Sequence, residues 1–174
     1  MTHYSKNMVL VHWLTLALLV AAWFLGEELS EATDGNSATI AAYIVHMVVG
    51  GAVLLLTVAR LYLRKKDGTP PAIGQSAMDK VAKGVHHMLY SVLFLLPVSG
   101  VMTVATSDAG RALLAGDATL LPKDGGYDHV MAHEVHEVLV TVLIVLVAVH
   151  VLGALKHQFV LKDGLMERML PRRK

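Results

Sequence analysis

The stretch of sequence that decides the fold is 133–157, which reads HEVHEVLVTVLIVLVAVHVLGALKH. Its apolar part is about long enough to cross the hydrocarbon core of a bilayer as a helix. Within it, His136 and His150 are 14 residues apart, which is about 40° short of four helical turns and about 21 Å of rise. The sequence therefore predicts two imidazoles on one helix face at two different depths.

Three other segments share this apolar character, in a chain of 174 residues of which 55% are hydrophobic. The four apolar segments are 8–25, 40–63, 85–105 and 133–155. Backbone polar groups in lipid have to be satisfied within their own segment, so each segment is expected to be a helix. We predict a single domain over residues 1–174 with an all-α integral membrane fold, an up-down bundle of four transmembrane helices.

The charged residues between these segments alternate in sign along the chain. Lys and Arg mark the cytoplasmic side of a membrane protein, so both termini and the middle connection are predicted to be cytoplasmic. The net charge is +1 and the basic residues form no single patch, which argues against nucleic-acid binding. The charges concerned are Glu27, Glu28, Glu31 and Asp34 in the first connection, Arg60, Arg64, Lys65, Lys66, Lys80 and Lys83 in the second, Asp108, Asp117, Asp124 and Asp128 against Arg111 and Lys123 in the third, and Arg168, Arg172, Arg173 and Lys174 in the tail.

Cysteine is absent, which excludes disulfides, thiolate metal sites, iron–sulfur clusters and covalently attached c-type haem. The chain has ten histidines, most of them inside or beside the apolar segments, where ionisable groups are functional candidates by default. A helix that presents histidines to a bundle interior at two heights can ligate two stacked haems, each of which needs one further axial ligand from another helix. We therefore predict two haems in the bundle interior.

The remaining axial ligands are predicted from the depth of each histidine. At the outer level His46 is the natural partner of His136, while the inner level offers several partners for His150. The candidates there are His12, His86 and His87. A lone intramembrane histidine can instead be a hydrogen-bonded packing residue, but four at matched depths favour ligation.

Two further features lie near these histidines. Arg60 follows His46 by 14 residues, so it is expected at the inner level, where it could bind a haem propionate or the polar head of a ligand, or snorkel to the membrane surface. Three glycines close to the histidines would let either a flat macrocycle or another helix approach the backbone. They are Gly50, Gly51 and Gly153.

At these residues the sequence resembles the bacterial cytochrome b561 family, the four-helix dihaem type of the Gram-negative inner membrane. The resemblance covers nearly the whole chain. It rests on Tyr4-Ser5, His12-Trp13, His46, Arg60-Leu61-Tyr62-Leu63-Arg64, Thr69-Pro70-Pro71, His86, Leu96-Pro97, His136-Glu137, His150, His157, Lys162-Asp163 and Arg168-Met169-Leu170-Pro171-Arg172. It implies haem b as the cofactor, a bacterial inner-membrane location, and the axial pairs His12 with His150 and His46 with His136.

The resemblance also implies a function. The sequence looks like the superoxide oxidases of that family, so we predict passage of electrons from superoxide at the periplasmic face to ubiquinone, with membrane lipid, ubiquinone and superoxide or a periplasmic redox protein as partners. The alternative is an electron-transfer subunit that links the quinone pool to a partner dehydrogenase. Acidic outer connections favour docking of a basic protein over steering of an anion. A non-redox alternative is a metal or proton transporter that uses the histidines.

A ubiquinone site is predicted at the inner end, beside Trp13 and His157. His157 follows His150 by seven residues, so it lies on nearly the same helix face, about 10 Å deeper. Trp13 offers a flat apolar surface, and His157 can donate a hydrogen bond and exchange protons near neutral pH. The alternatives are that Trp13 anchors its helix at the membrane surface and that His157 caps the end of its helix.

Overall fold

Four long helices make up most of the computed structural model, which describes residues 3–31, 37–71, 74, 77–121, 127 and 130–170. They are α1 (Lys6–Glu31), α2 (Ser37–Asp67), α3 (Ala77–Thr106) and α5 (Met131–Lys156), with a short α4 (Asp108–Ala115) between the last two. All four long helices are long and apolar enough to cross a membrane. The predicted all-α bundle of four membrane helices is confirmed.

The helices extend beyond the apolar segments from which they were predicted. The apolar run marks only the part of a helix that suits lipid, whereas polar residues can continue the same helix into water. Thus α3 begins at Ala77, before the predicted start at Val85, and includes Lys80 and Lys83. It also continues through Pro97 rather than ending there.

The short helix α4 was not predicted from the sequence. It begins after Ser107, whose Oγ accepts a hydrogen bond from the Gly110 amide at 3.1 Å, and it ends at Gly116, which adopts φ +65°. A Cβ on Gly110 would overlap the carbonyl oxygen of Val104. Glycine at this position therefore allows α4 to fold tightly against the end of α3.

The long helices pack in two principal pairs, α1 along α2 and α3 along α5, and α2 joins the pairs through α3. Within the described residues, α5 does not pack closely along α1 or α2. A central apolar cluster lies between the two helix pairs. Along the bundle it lies between the two levels of histidines described below. Its buried members are Val53, Val92, Leu93, Leu143 and Leu146.

Tyr4, just before α1, and Arg168 lie at the same end of the bundle, here called the terminal end, and the other end is called the opposite end. The C-terminal segment ties the terminal end together. The Arg168 guanidinium donates to the Pro71 carbonyl at 2.7 Å, and the Tyr4 amide donates to the Arg168 carbonyl at 3.2 Å. The tail thereby joins the start of α1 to the connection between α2 and α3.

The outward faces of the helices are apolar. Large aliphatic side chains such as Leu55, Val101 and Leu152 are exposed, as expected for surfaces that contact lipid rather than water. Several residues used for the charge pattern lie outside the described residues. They are Asp34, Lys123, Asp124, Asp128, Arg172, Arg173 and Lys174.

Candidate cofactor-binding site

Two pairs of histidines face each other across the bundle interior. At the opposite end, the ring centroids of His46 on α2 and His136 on α5 are 6.3 Å apart with an interplanar angle of 69°. At the terminal end, the centroids of His12 on α1 and His150 on α5 are also 6.3 Å apart, at 64°. Although α5 does not pack closely along α1 or α2 in the described residues, these rings reach across the space between the helices.

The geometry of each pair fits one iron held between two imidazoles. Each metal–nitrogen bond to histidine is about 2 Å, which places the centroids of two opposed axial rings about 6 Å apart, close to the observed separation. The described residues contain no group of three or more His, Cys, Asp or Glu side chains that could hold a bare ion. A haem brings its own four nitrogens, so two axial histidines complete its coordination.

The ring of His136 is oriented by groups on α3. Its Nδ1–H points to the Leu96 carbonyl oxygen at 3.0 Å and to the Ser99 Oγ at 2.9 Å, and the Ser99 hydroxyl donates to the same carbonyl at 2.8 Å. A carbonyl can only accept, so the proton lies on Nδ1 and the lone pair on Nε2. This tautomer leaves Nε2 free to ligate a metal.

Two glycines lie directly against the rings of the opposite-end pair. A Cβ on Gly26 of α1 would come within 3.4 Å of the His46 Cε1, and a Cβ on Gly100 of α3 would come within 3.3 Å of the His136 Cε1. At both positions the absent side chain makes room for an imidazole. The three glycines singled out from the sequence differ, because a Cβ there would meet no protein atom within 4 Å. These are Gly50, Gly51 and Gly153.

His46 is held less directly than His136. The backbone of Ala22 interacts with its ring, yet the buried Nδ1 has no acceptor in hydrogen-bonding geometry. The buried Nδ1 of His12 at the terminal end is likewise without a partner.

The adjacent histidines of α3 point in different directions. The ring of His86 packs edge-on against His150 with centroids 5.0 Å apart, whereas His87 donates its Nδ1–H to the Lys83 carbonyl at 2.7 Å. His86 therefore borders the terminal-end pair and His87 does not. A separation of 5.0 Å is shorter than two opposed axial rings require, which favours His12 over His86 as the partner of His150.

Arg60 lies at the terminal-end level, as its spacing from His46 predicts. Its guanidinium carbon is 5.2 Å from the centroid of the Tyr90 ring, and its buried Nε has no hydrogen-bond partner. The head group is thus directed into the protein at an aromatic face.

Trp13 and His157 both interact with the C-terminal segment. The indole N–H of Trp13 donates to the Met169 carbonyl at 2.8 Å, and the ring meets His12 edge-on with centroids 5.4 Å apart. His157 follows α5 directly and donates its Nδ1–H to the Asp163 Oδ2 at 2.6 Å. Because the Trp13 N–H is already used, this residue can offer a ligand its ring face but not a free donor.

A second set of aromatic groups lies near the opposite-end pair. Tyr127 stacks on His133 with centroids 4.4 Å apart and contacts Tyr43 at 6.2 Å, and the His133 Nε2 lies 3.4 Å from a carboxylate oxygen of Glu137. Burial raises the pKa of the Tyr127 phenol, so this residue stays neutral. His129, which the sequence places in the same connection, lies outside the described residues.

Sequence reasoning did not find the groups that orient the histidines. The run Leu96-Pro97-Val98-Ser99-Gly100 supplies the carbonyl, the hydroxyl and the glycine that meet His136. The sequence carried a signal, since a serine and a glycine follow a proline inside a membrane helix, at the same depth as His136.

Four membrane-length helices with histidines facing in pairs across the interior define the class of b-type membrane cytochromes. Residues 3–172 match the family model described as prokaryotic cytochrome b561. The chain belongs to that family, and is therefore an electron-transfer membrane protein of a family that carries b-type haem.

Similar proteins extend along the full chain. It is 31% identical over 171 residues to "Cytochrome b562" of Cereibacter sphaeroides, covering 96% of this chain and 94% of that one. It is 26% identical over 176 residues to "Cytochrome b561 homolog 1" of Escherichia coli K12, covering 100% of both. It is also 26% identical over 176 residues to "Probable superoxide oxidase CybB" of Yersinia pestis, covering 98% of this chain and 97% of the relative.

Proposed function

We propose that this chain is a dihaem cytochrome in which His46 and His136 hold one haem b, and His12 and His150 hold the other. The observation that supports this most is the equal separation of 6.3 Å in both pairs. The two α5 members lie on one face, about 21 Å apart along the helix. A haem held between each histidine pair would supply one-electron transfer.

The two histidine levels are suited to moving electrons across a membrane. One pair lies toward each end of the bundle, and the apolar cluster that includes Val53 and Leu143 separates them. Apolar packing between the levels keeps water and ions out of the middle of the bundle. We place the protein in the bacterial inner membrane with both termini cytoplasmic, because the basic last turn of α2 lies at the terminal end with Arg168.

We further propose that the physiological reaction is superoxide oxidation coupled to ubiquinone reduction. The support is the similarity to a relative named as a probable superoxide oxidase. Ubiquinone would bind at the terminal end beside Trp13 and His157, with Arg60 facing either a haem propionate or the quinone. Trp13 lies edge-on to His12, so a quinone against its face would be close to the terminal-end histidine pair.

A second candidate function is an electron-transfer subunit that links the quinone pool to a partner dehydrogenase. It is favoured by the charge at the opposite end, where Arg111 forms an exposed ion pair with Asp108 at 2.8 Å and Asp117 is also exposed. An arginine that is neutralised by neighbouring carboxylates attracts a superoxide anion poorly. The acidic surface around it is instead suited to binding a basic protein.

Stopped-flow mixing distinguishes the two functions. The purified dihaem protein in detergent with ubiquinone is exposed to enzymatically generated superoxide, and the Soret shift and quinol formation are followed. Reduction of haem followed by quinol formation, abolished by superoxide dismutase, supports the oxidase. Haem that ubiquinol reduces but superoxide does not rejects the oxidase and favours the subunit.

A further inference from the structure

The chain reverses direction immediately after α5 and brings a carboxylate back to His157. A π-helical turn covers His157–Leu161, and the next residues include Lys162 at φ 51° and Gly164 at φ 73°, both in the left-handed region. A left-handed backbone is costly for a residue with a side chain such as lysine. The reversal places Asp163 within hydrogen-bonding distance of a residue six positions earlier.

The carboxylate of Asp163 is held on both of its oxygens. Oδ2 accepts the Nδ1–H of His157 at 2.6 Å, and Oδ1 accepts the Leu165 amide at 3.1 Å. The hydrogen bond from His157 is the main reason that the pKa of Asp163 lies below its ordinary value. Asp163 is therefore an ionised acceptor in a fixed orientation at neutral pH.

The pair lies at the terminal end of the bundle, directly after α5. The side chains of His157 and Asp163 are 24% and 20% exposed, respectively, so both lie partly open at the protein surface. An acceptor fixed at Nδ1 sets the tautomer of the ring and leaves Nε2 as the nitrogen that gains and loses a proton. Within the described residues, Nε2 of His157 has no hydrogen-bond partner.

We propose that Asp163 is a positioning residue that sets the tautomer of His157 for proton delivery to quinone at the terminal end. The inference rests on the proposed quinone reduction. Reduction of one quinone to quinol takes two electrons, which bound haem would supply, and two protons, which come from water on that side. For each proton, the Nε2–H bond of protonated His157 breaks and an O–H bond forms on the quinone. The neutral ring then takes a new proton at Nε2 from water.

A purely structural role for Asp163 predicts a different outcome, because its Oδ1 also holds the Leu165 amide and the turn around it. Asp163→Asn separates the two roles. Asparagine keeps an oxygen for the Leu165 N–H, but an amide cannot serve as an ionised acceptor for Nδ1. The matched variant Asp163→Glu keeps the carboxylate charge and lengthens the side chain by one methylene group.

The experiment measures steady-state quinone reduction and haem content in the purified dihaem protein. In Asp163→Asn we expect kcat to fall about tenfold or more, the lower range of general acid–base effects, with KM for ubiquinone and haem content unchanged. Asp163→Glu should recover part of the loss. In a His157→Ala background, Asp163→Asn should have no further effect, because the residue that it positions is gone.

Two results overturn the inference, and they are distinguishable. If His157→Ala lowers kcat and Asp163→Asn does not, or if the two effects simply multiply, the quinone site stands and Asp163 has only a structural role. If His157→Ala leaves quinone reduction unchanged, the proposed quinone site is itself wrong and the role of Asp163 is rejected with it. If Asp163→Asn fails to fold, Asp163→Glu alone and in the His157→Ala background decides by the same kcat criterion.

Discussion

His136 on α5 is held by Leu96 on α3, through a hydrogen bond of 3.0 Å from its Nδ1–H to the Leu96 carbonyl oxygen. A backbone carbonyl cannot be removed by mutation. The Ser99 hydroxyl lies 2.9 Å from the same Nδ1 and can be removed by substitution. A partner that accepts from Nδ1–H makes the imidazole more basic and a better donor to oxidised iron. The bond therefore belongs to the electronic environment of the proposed opposite-end haem.

We accordingly expect Ser99→Ala to raise the midpoint potential of one haem, by on the order of tens of millivolts, while both haems stay bound. Potentiometric titration of the purified protein measures this. The matched control is Ser91→Ala, which removes an exposed hydroxyl from the same helix. Equal shifts in the two variants, or a shift confined to the proposed terminal-end haem, would contradict the role of Ser99.

The proposed ligand pairs make a distinct prediction for each level. Replacing His46 by Ala should remove one haem and leave the other, and replacing His12 by Ala should remove the complementary one, since each iron would lose an axial ligand. Haem-to-protein ratios and reduced-minus-oxidised spectra check this. His87→Ala, at an exposed position, is the control that should retain both. Loss of a haem in His86→Ala with retention in His12→Ala would reassign the terminal-end pair.

Glycine at the opposite-end pair is expected to matter for haem binding. Gly100→Ala places a Cβ 3.3 Å from the His136 Cε1, which is close enough to push the ring from its position. We expect lower occupancy of that haem and a disturbed spectrum. Gly84→Ala on the same helix is the control, since a Cβ there meets nothing within 4 Å. Identical haem occupancy in both variants would contradict the tight fit at Gly100.

The helices and histidine levels could be predicted because they depend on features within one segment. Apolar length identifies a membrane helix, and the spacing of His136 and His150 places both on one face whatever surrounds them. The contacts of Gly26 and Ser99 depend on how two helices pack. The sequence of a single helix does not specify which residues of another helix it will contact. For the same reason α4 escaped prediction, since its eight residues depend on a cap and on close contact with α3.

The orientation of the bundle is tested by labelling. The chain has no cysteine, so single cysteines can be introduced at Lys65 and at Glu28, both exposed and at opposite ends of the bundle. With the termini in the cytoplasm, an impermeant maleimide applied to intact cells should label Glu28→Cys once the outer membrane is permeabilised, and Lys65→Cys only after lysis. The reverse pattern would invert the proposed direction of electron transfer.

The last prediction concerns the terminal-end quinone site. His157→Ala removes the proposed proton donor but keeps α5 and the histidine pairs, so reoxidation of the reduced haems by ubiquinone should slow about tenfold or more while haem content is unchanged. Stopped-flow spectroscopy at the Soret band measures the rate. Trp13→Phe is the companion variant: it loses the bond to the Met169 carbonyl but keeps an aromatic face, so we expect a smaller effect. A residue that only capped α5 would leave the rate unaltered, and that result would remove His157 from the site.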